Sequence, residues 1–139
     1  MSIKGGAYPR FRRALEAGNP LIVRAAAAEL KPPLSLPDAL AVTLVLHDDS
    51  RFDRVAGRWA ARLSLETVGV SLGDTQLAAA ALHQIAAGRH DVGVESLAAL
   101  LERLGLPDCL RELRAWRARQ ERAATPANPP TRESPSTAG

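Results

Sequence analysis

Aromatic residues are scarce in this chain of 139 residues: two Trp, two Phe and one Tyr make up 4% of it. The apolar 46% is dominated instead by Ala and Leu, which are strong helix formers. Strands favour aromatic and β-branched side chains, so a composition poor in them disfavours a sheet. The composition therefore predicts an all-α fold, a compact bundle of about seven short helices arranged as helical hairpins.

Cysteine is almost absent, since Cys109 is the only one. One thiol cannot form a disulfide within the chain, and such a sequence is typical of the reducing cytoplasm. We expect Cys109 to be a small buried apolar side chain on a helix. No apolar run approaches the roughly 20 residues that a membrane-spanning helix needs, and Met1–Gly18 lacks the apolar core of a secretory signal. These absences predict a cytoplasmic protein.

Motifs of catalysis are missing as well. The sequence contains no nucleophile elbow, no phosphate-binding glycine loop and no pair of carboxylates spaced for acid–base chemistry. We therefore expect a non-catalytic protein without a cofactor or metal. His47, Asp48 and Asp49 are ligand types that a metal would accept. Their position between two predicted helices favours capping instead, because Asp stabilises a helix start and His a helix end.

What the sequence does contain is one helix that is apolar on every side. Between Ala39 and Leu46 only Thr43 is polar. A helix without a broad polar face belongs in the interior, surrounded by amphipathic neighbours. The segment Leu36–His47 is therefore predicted to be the central element of the bundle.

Helix boundaries are marked by proline, glycine and capping residues. Pro9 and Gly18 are predicted to open and close the first helix, and Asn19-Pro20 to begin the second. Ser-x-x-Asp sequences predict capping boxes at the starts of three later helices: Ser35–Asp38, Ser50–Asp53 and Ser71–Asp74. We expect a flexible arm over residues 1–7, one helical domain over residues 8–123 and a disordered tail over residues 124–139.

Two further predictions concern how the helices pack. The second helix is predicted to pack through its apolar residues Leu21, Ile22, Ala25, Ala26 and Leu30, and the helix after Ser71 through Leu77, Ala78, Ala81, Leu82 and Ile85. Ser35–His47 recurs in outline as Ser71–His83, with a period near that of tetratricopeptide repeats. The second helices of the two units barely match, so a compact bundle is the alternative to a repeat array.

The helix after Asp49 has the clearest amphipathic pattern. Its apolar residues recur at i, i+3, i+4, i+7, i+8 and i+11, which indicates one buried face: Phe52, Val55, Ala56, Trp59, Ala60 and Leu63. Gly57 interrupts this helix and predicts a close approach of another helix. Beside the apolar face, four arginines at i, i+3, i+7 and i+11 form an arginine ridge: Arg51, Arg54, Arg58 and Arg62.

The arginine ridge supports two functional hypotheses. It predicts a surface that binds another protein or a second copy of the chain, because Trp and Arg dominate interface hot spots. Trp59, beside the ridge, and Trp116 are its predicted anchors if they are exposed, and core residues otherwise. Arginines in a row can also follow a phosphate backbone, so a DNA-associated regulator is the alternative. A formal net charge of only +3 disfavours strong non-specific binding to nucleic acid. A solvated face of an arginine-rich protein, with Asp and Glu partners nearby, is the alternative to both functional hypotheses. The predicted surface comprises Arg51, Arg54, Arg58, Arg62, Trp59, Arg10, Arg13, Arg114 and Arg117.

One local resemblance points toward DNA. Ile85-Ala-Ala-Gly-Arg-His90, followed by Glu95–Leu106, resembles the second half of a phage-repressor-type helix-turn-helix domain, which implies a DNA-binding role. The preceding segment Asp74–Ala87 departs from that pattern, because it predicts one continuous helix without the turn that separates a positioning helix from a recognition helix.

A broader resemblance covers most of residues 8–116. Three segments resemble a group of small all-helical proteins from actinobacterial-type, high-GC genomes: Tyr8–Leu15, the helix from Phe52 to Arg62, and Thr75–Leu82. The resemblance implies an all-helical architecture and supplies no catalytic residue.

Overall fold

The computed structural model describes residues 6–31 and 33–125. Over these ranges the chain forms seven α-helices and no strand, which confirms the predicted all-α fold. The helices are α1 (Ala7–Ala17), α2 (Pro20–Ala28), α3 (Leu36–Val45), α4 (Phe52–Glu66), α5 (Leu72–Ala86), α6 (His90–Leu104) and α7 (Pro107–Ala124). The expected arm and tail lie largely outside the described residues, although α1 already begins at Ala7 and α7 continues to Ala124.

The helix α3 lies at the centre of the bundle, as its apolar sequence predicts. It packs against α1, α2, α4 and α7. Leu40 and Leu44 belong to a large core cluster shared with α4–α7, while Ala41 and Val45 belong to a smaller cluster shared with α1 and α2. In a repeat array each unit contacts only its neighbours, whereas here α3 contacts the distant α7. The helices therefore close into a compact bundle.

Two of the predicted capping sequences do cap their helices. Ser71 and Asp74 form a complete box, in which the Asp74 amide donates to Ser71 Oγ and the Ser71 amide donates to Asp74 Oδ2, both at 3.0 Å. Ser35 Oγ accepts from the Asp38 amide at 3.2 Å, but the Asp38 carboxylate binds side chains of α1 instead of closing the box.

The capping prediction for Ser50 is wrong. The chain continues in a turn after α3, and α4 begins only at Phe52. Asp49 Oδ1 accepts from the Arg51 amide at 2.8 Å, so the aspartate stabilises the turn that leads into the helix. Because that turn places Ser50 before the helix start, its hydroxyl has no role as a cap.

The packing of α2 also differs from the prediction. Leu21 is 70% exposed and Ile22 is 52% exposed, whereas Val23 is fully buried. This short helix meets α1 and α3 along a single face with i, i+3, i+4, i+7 spacing: Val23, Ala26, Ala27 and Leu30. Leu21 and Ile22 lie outside that face. The inward orientation predicted for them is therefore wrong.

Close helix packing occurs at Gly93 rather than at Gly57. Gly57 is exposed, and a Cβ added there would meet no neighbouring atom within 4 Å. A Cβ at Gly93 would lie 2.6 Å from the carbonyl oxygen of Ala81 and 2.6 Å from Ile85 Cγ1, where α6 crosses α5. Leu77 on α5, predicted to face inward, is 41% exposed.

Candidate functional site

A groove runs between α2, α3 and α4, and the spacing of its residues shows how it forms. From α3 come Ala39, Val42, Thr43 and Leu46, at i, i+3, i+4 and i+7, so they share one helix face. The other two helices contribute equally regular sets, Arg24, Ala27 and Ala28 from α2 and Arg51, Val55, Arg58, Trp59 and Arg62 from α4 and its first cap. Since α3 packs against both α2 and α4, it forms the floor and they form the walls.

The groove has a volume of about 400 Å³, and its floor is apolar. Val42 and Val55 are half-buried, so each presents part of its side chain to the groove. Leu46 and Trp59 close the base and are buried. An apolar concavity of this size can receive one row of apolar side chains from a ligand or partner.

Arginines line both rims of this groove. Arg51, Arg58 and Arg62 stand on the α4 side, and Arg24 stands opposite on α2. Arg62 Nε donates to Glu66 Oε2 at 2.6 Å, and this hydrogen bond lowers the pKa of the Glu66 carboxyl. Arg51 lies 3.8 Å from Asp49.

Two of the rim arginines have no acidic partner of their own. Within the described residues, neither Arg24 nor Arg58 makes an ion pair or a side-chain hydrogen bond. Arg58 is exposed and Arg24 is half-buried. The two sides of the groove therefore each present an uncompensated positive charge above an apolar floor.

Trp59 is buried, so it does not meet the condition of exposure on which its role as an anchor depends. Its side chain is only 1% exposed, and its indole Nε1 donates to the carbonyl oxygen of Leu36 at 3.0 Å. The ring thus joins α4 to the start of α3. Trp116 is equally buried. The apolar period that places Trp59 on the inner face of α4 explains why it is unavailable as an anchor.

The structure separates the other predicted surface residues from the groove. Arg54 is exposed on α4 but does not line the groove, and Arg13 is exposed on α1. Arg10 pairs with Glu29 at 2.8 Å. On α7, Arg114 and Arg117 pair with acidic residues of α6, with Arg117 lying 2.6 Å from Asp91. The nine predicted residues therefore do not form one continuous surface.

A buried ionic cluster that the sequence did not indicate lies between α1, α3 and α7. Arg12 Nη1 donates to Asp38 Oδ1 at 2.9 Å, and Arg12 Nη2 lies 3.1 Å from Glu112 Oε2. Burial alone would lower the pKa of Arg12, but Glu112, Tyr8 and Asp38 together outweigh burial and raise it. Tyr8 donates to Asp38 Oδ1 at 3.3 Å. This cluster fastens α1 to the rest of the bundle.

His47, Asp48 and Asp49 have local structural partners. His47 Nδ1 donates to the carbonyl oxygen of Leu44 at 2.9 Å, and Asp49 stabilises the turn before α4. The rings of His47, His90 and Trp116 contact one another, and the ring centroids of each pair are 5.1–5.4 Å apart. Burial, followed by the neighbouring His47, lowers the pKa of His90. Over residues 6–31 and 33–125, no cluster of three metal-ligating side chains occurs.

Cys109 is buried on α7, as predicted from its sequence context. Burial raises the pKa of its thiol to about 12. The thiol is therefore protonated at neutral pH and is a poor nucleophile.

The fold and the groove together define an all-helical bundle with a cationic groove. Comparison with protein-family models, curated proteins and solved structures found no match. The helix α5 runs unbroken from Leu72 to Ala86, as the sequence of Asp74–Ala87 predicts. In the part of the chain that the structure describes, no helix is long and apolar enough to cross a membrane.

Proposed function

We propose that this protein works in the cytoplasm by binding, without catalysis, and that its groove between α2, α3 and α4 receives an acidic amphipathic helix of a partner protein. The observation that carries the proposal is the pair of uncompensated arginines, Arg24 and Arg58, on opposite rims of an apolar floor. A partner that offers apolar side chains flanked by carboxylates satisfies both parts of this surface at once.

The length of the groove suits a short helix. The arginines from Arg51 to Arg62 extend along about three turns of α4, or about 16 Å. A docked helix of the same length presents apolar residues at i, i+3 or i+4, and i+7 to the floor. Its carboxylates on either side of that stripe then reach Arg58 and Arg24. Helix-in-groove docking of this kind supplies affinity by apolar burial and orientation by charge.

DNA binding is the alternative that the same arginines suggest, and one pair of variants separates the two. Arg54 and Arg58 are both exposed on α4, and neither makes an ion pair within residues 6–31 and 33–125. Only Arg58 lines the groove. A phosphate backbone following the ridge would contact both arginines, whereas a helix in the groove contacts Arg58 alone.

The experiment measures binding of three fluorescent probes by anisotropy at about 50 mM salt, where charge effects are strongest. The probes are a synthetic Leu/Glu amphipathic helix, its Leu/Lys counterpart, and a short DNA duplex. We expect the Leu/Glu helix to bind and the Leu/Lys helix not to bind. Arg58→Glu should weaken binding of the Leu/Glu helix by about tenfold or more, while Arg54→Glu, the matched control, should leave it nearly unchanged.

Several results would contradict the proposal. Equal affinity for the acidic and basic helices would show that the rim charges do not select the partner. DNA binding that Arg54→Glu and Arg58→Glu weaken equally would assign the ridge to phosphate contacts. Sedimentation of the wild-type protein as a dimer that Arg58→Glu dissociates would assign the groove to a second copy of the chain.

A further inference from the structure

A second cavity, of about 430 Å³, is formed where the ends of α1, α3 and α7 meet. Its walls come from the end of α1, the segment after α3 and the last turns of α7. Val45, Pro20 and Trp116 give it apolar surface, and Arg119 of α7 is its most deeply buried charge. Its volume is within the range of small-molecule sites, which runs from roughly 300 to 1,000 Å³.

The guanidinium of Arg119 is the unusual feature of this cavity. The side chain is only 11% exposed, and its Nη2 is closed off from solvent without a hydrogen-bond partner. It is the one buried side-chain nitrogen or oxygen in the described residues that lacks a partner. Its nearest acid is Glu16, whose Oε2 lies 3.7 Å from Nη1, beyond hydrogen-bond distance. A buried cationic donor left unsatisfied is costly, and a bound acceptor would remove that cost.

The charges around Arg119 restrict what that acceptor can belong to. Glu16 and Asp48 line the same cavity, and their side chains are 68% and 83% exposed. Both carboxylates are therefore far more exposed than Arg119, whose side chain is 11% exposed. A simple anion would be repelled by the two carboxylates, and a simple cation would be repelled by Arg119. A zwitterion with its negative end inward and its positive end outward satisfies all three groups.

We propose that this cavity binds a free amino acid with an apolar side chain. Its α-carboxylate accepts from Arg119, its α-ammonium group lies between Glu16 and Asp48, and its side chain contacts Val45 and Pro20. Because Nη2 is closed off from solvent, the guanidinium must turn toward the cavity on binding. That movement gives up the one ion pair that Arg119 makes within the described residues, the 3.7 Å contact with Glu16. The site is separate from the groove, so neither proposal depends on the other.

Isothermal titration calorimetry with matched probes tests the assignment. The probes are L-leucine, L-phenylalanine, 4-methylpentanoate, which is leucine without its ammonium group, and 3-methylbutylamine, which is leucine without its carboxylate. We expect one or both amino acids to bind, and each leucine fragment to bind at least about tenfold more weakly than leucine. Arg119→Gln should weaken amino-acid binding by about tenfold or more. Arg122→Gln, an exposed arginine on the same helix, should not.

The result is interpretable even if Arg119→Gln is poorly folded. Asp48→Asn alters an exposed side chain whose Oδ2 lies 3.3 Å from His47 Nε2, and we expect it to weaken leucine binding while strengthening binding of 4-methylpentanoate. Circular dichroism melting of Arg119→Gln should show no loss of stability, because the substitution removes an unsatisfied buried charge. No binding of either amino acid at about 10 mM, or a 4-methylpentanoate affinity equal to that of leucine, would overturn the proposal.

Discussion

The two layers of this bundle are held together in different ways. The inner layer, α3–α7, shares one large apolar cluster that contains both tryptophans. The outer layer, α1 and α2, rests on α3 through a smaller cluster of buried residues: Phe11, Ala14, Leu15, Val23, Ala41 and Val45. Only Val23 comes from α2. The outer layer therefore has much less buried apolar surface to stabilise it.

This difference gives the groove two unlike walls. Its α4 wall is anchored in the inner layer by Phe52, Trp59 and Leu63, all buried. Its α2 wall belongs to the outer layer and has a single buried residue. Segments with few buried apolar contacts open locally at lower free energy than the whole domain unfolds. We infer that α2 is the adjustable wall and α4 the fixed one, which suits the partner binding proposed for the groove.

The largest effect is expected from removing the ionic link between the layers. Arg12→Gln leaves the buried carboxylates of Asp38 and Glu112 without their cation, and should lower the free energy of unfolding by about 1–3 kcal/mol. The adjacent Arg13→Gln changes an exposed side chain and should cost less than about 0.5 kcal/mol. Urea denaturation followed by circular dichroism measures both, and equal values for the two variants would refute the structural role of the link.

A smaller, pH-dependent effect is expected within the inner layer. The hydrogen bond from Arg103, followed by that from the Ser71 backbone, lowers the pKa of Asp74 from its ordinary value of 3.8 to about 2. A lowered folded-state pKa stabilises the protein above the ordinary value, and that contribution is lost as the pH falls through the interval down to about 2.

The measurement compares the urea midpoint of Asp74→Asn with that of wild type. Asp74→Asn should be less stable at neutral pH, and the difference should shrink as the pH approaches about 2. Asp53→Asn, at the first turn of α4, is the control because Asp53 is exposed and makes no hydrogen bond within the described residues. A difference for Asp74→Asn that stays constant with pH would contradict the assigned role.

Short sequence patterns predicted the features that depend on contacts between residues close together in the chain. The Ser71–Asp74 box joins residues three positions apart, so the sequence alone was sufficient to predict it. The same pattern at Ser35–Asp38 predicted only half of the outcome, because Asp38 binds Arg12 and Tyr8 of another helix. Such a distant partner depends on how the helices pack, and the spacing of neighbouring residues gives no information about that packing.

The groove, too, was predicted from the sequence only in the part that depends on a single helix. The i, i+3, i+7, i+11 spacing predicted that Arg51, Arg54, Arg58 and Arg62 align on one helix, but not which of them face a concave surface. That selection depends on where α2 lies, and the apolar pattern of α2 misplaced Leu21 and Ile22. Arg24, on the opposite rim, carried no sequence signal because a single arginine among alanines is ordinary on an exposed face.

The most direct test of the unlike walls is hydrogen exchange measured by mass spectrometry, with and without the Leu/Glu helix. In the free protein, we expect the amides of α2 to exchange faster than those of α5, because α2 opens locally. Adding the Leu/Glu helix should slow exchange in α2 and leave α5 and α6 unchanged. Protection of α2 equal to that of α5 in the free protein, or exchange in α2 that does not change when the helix binds, would contradict the account.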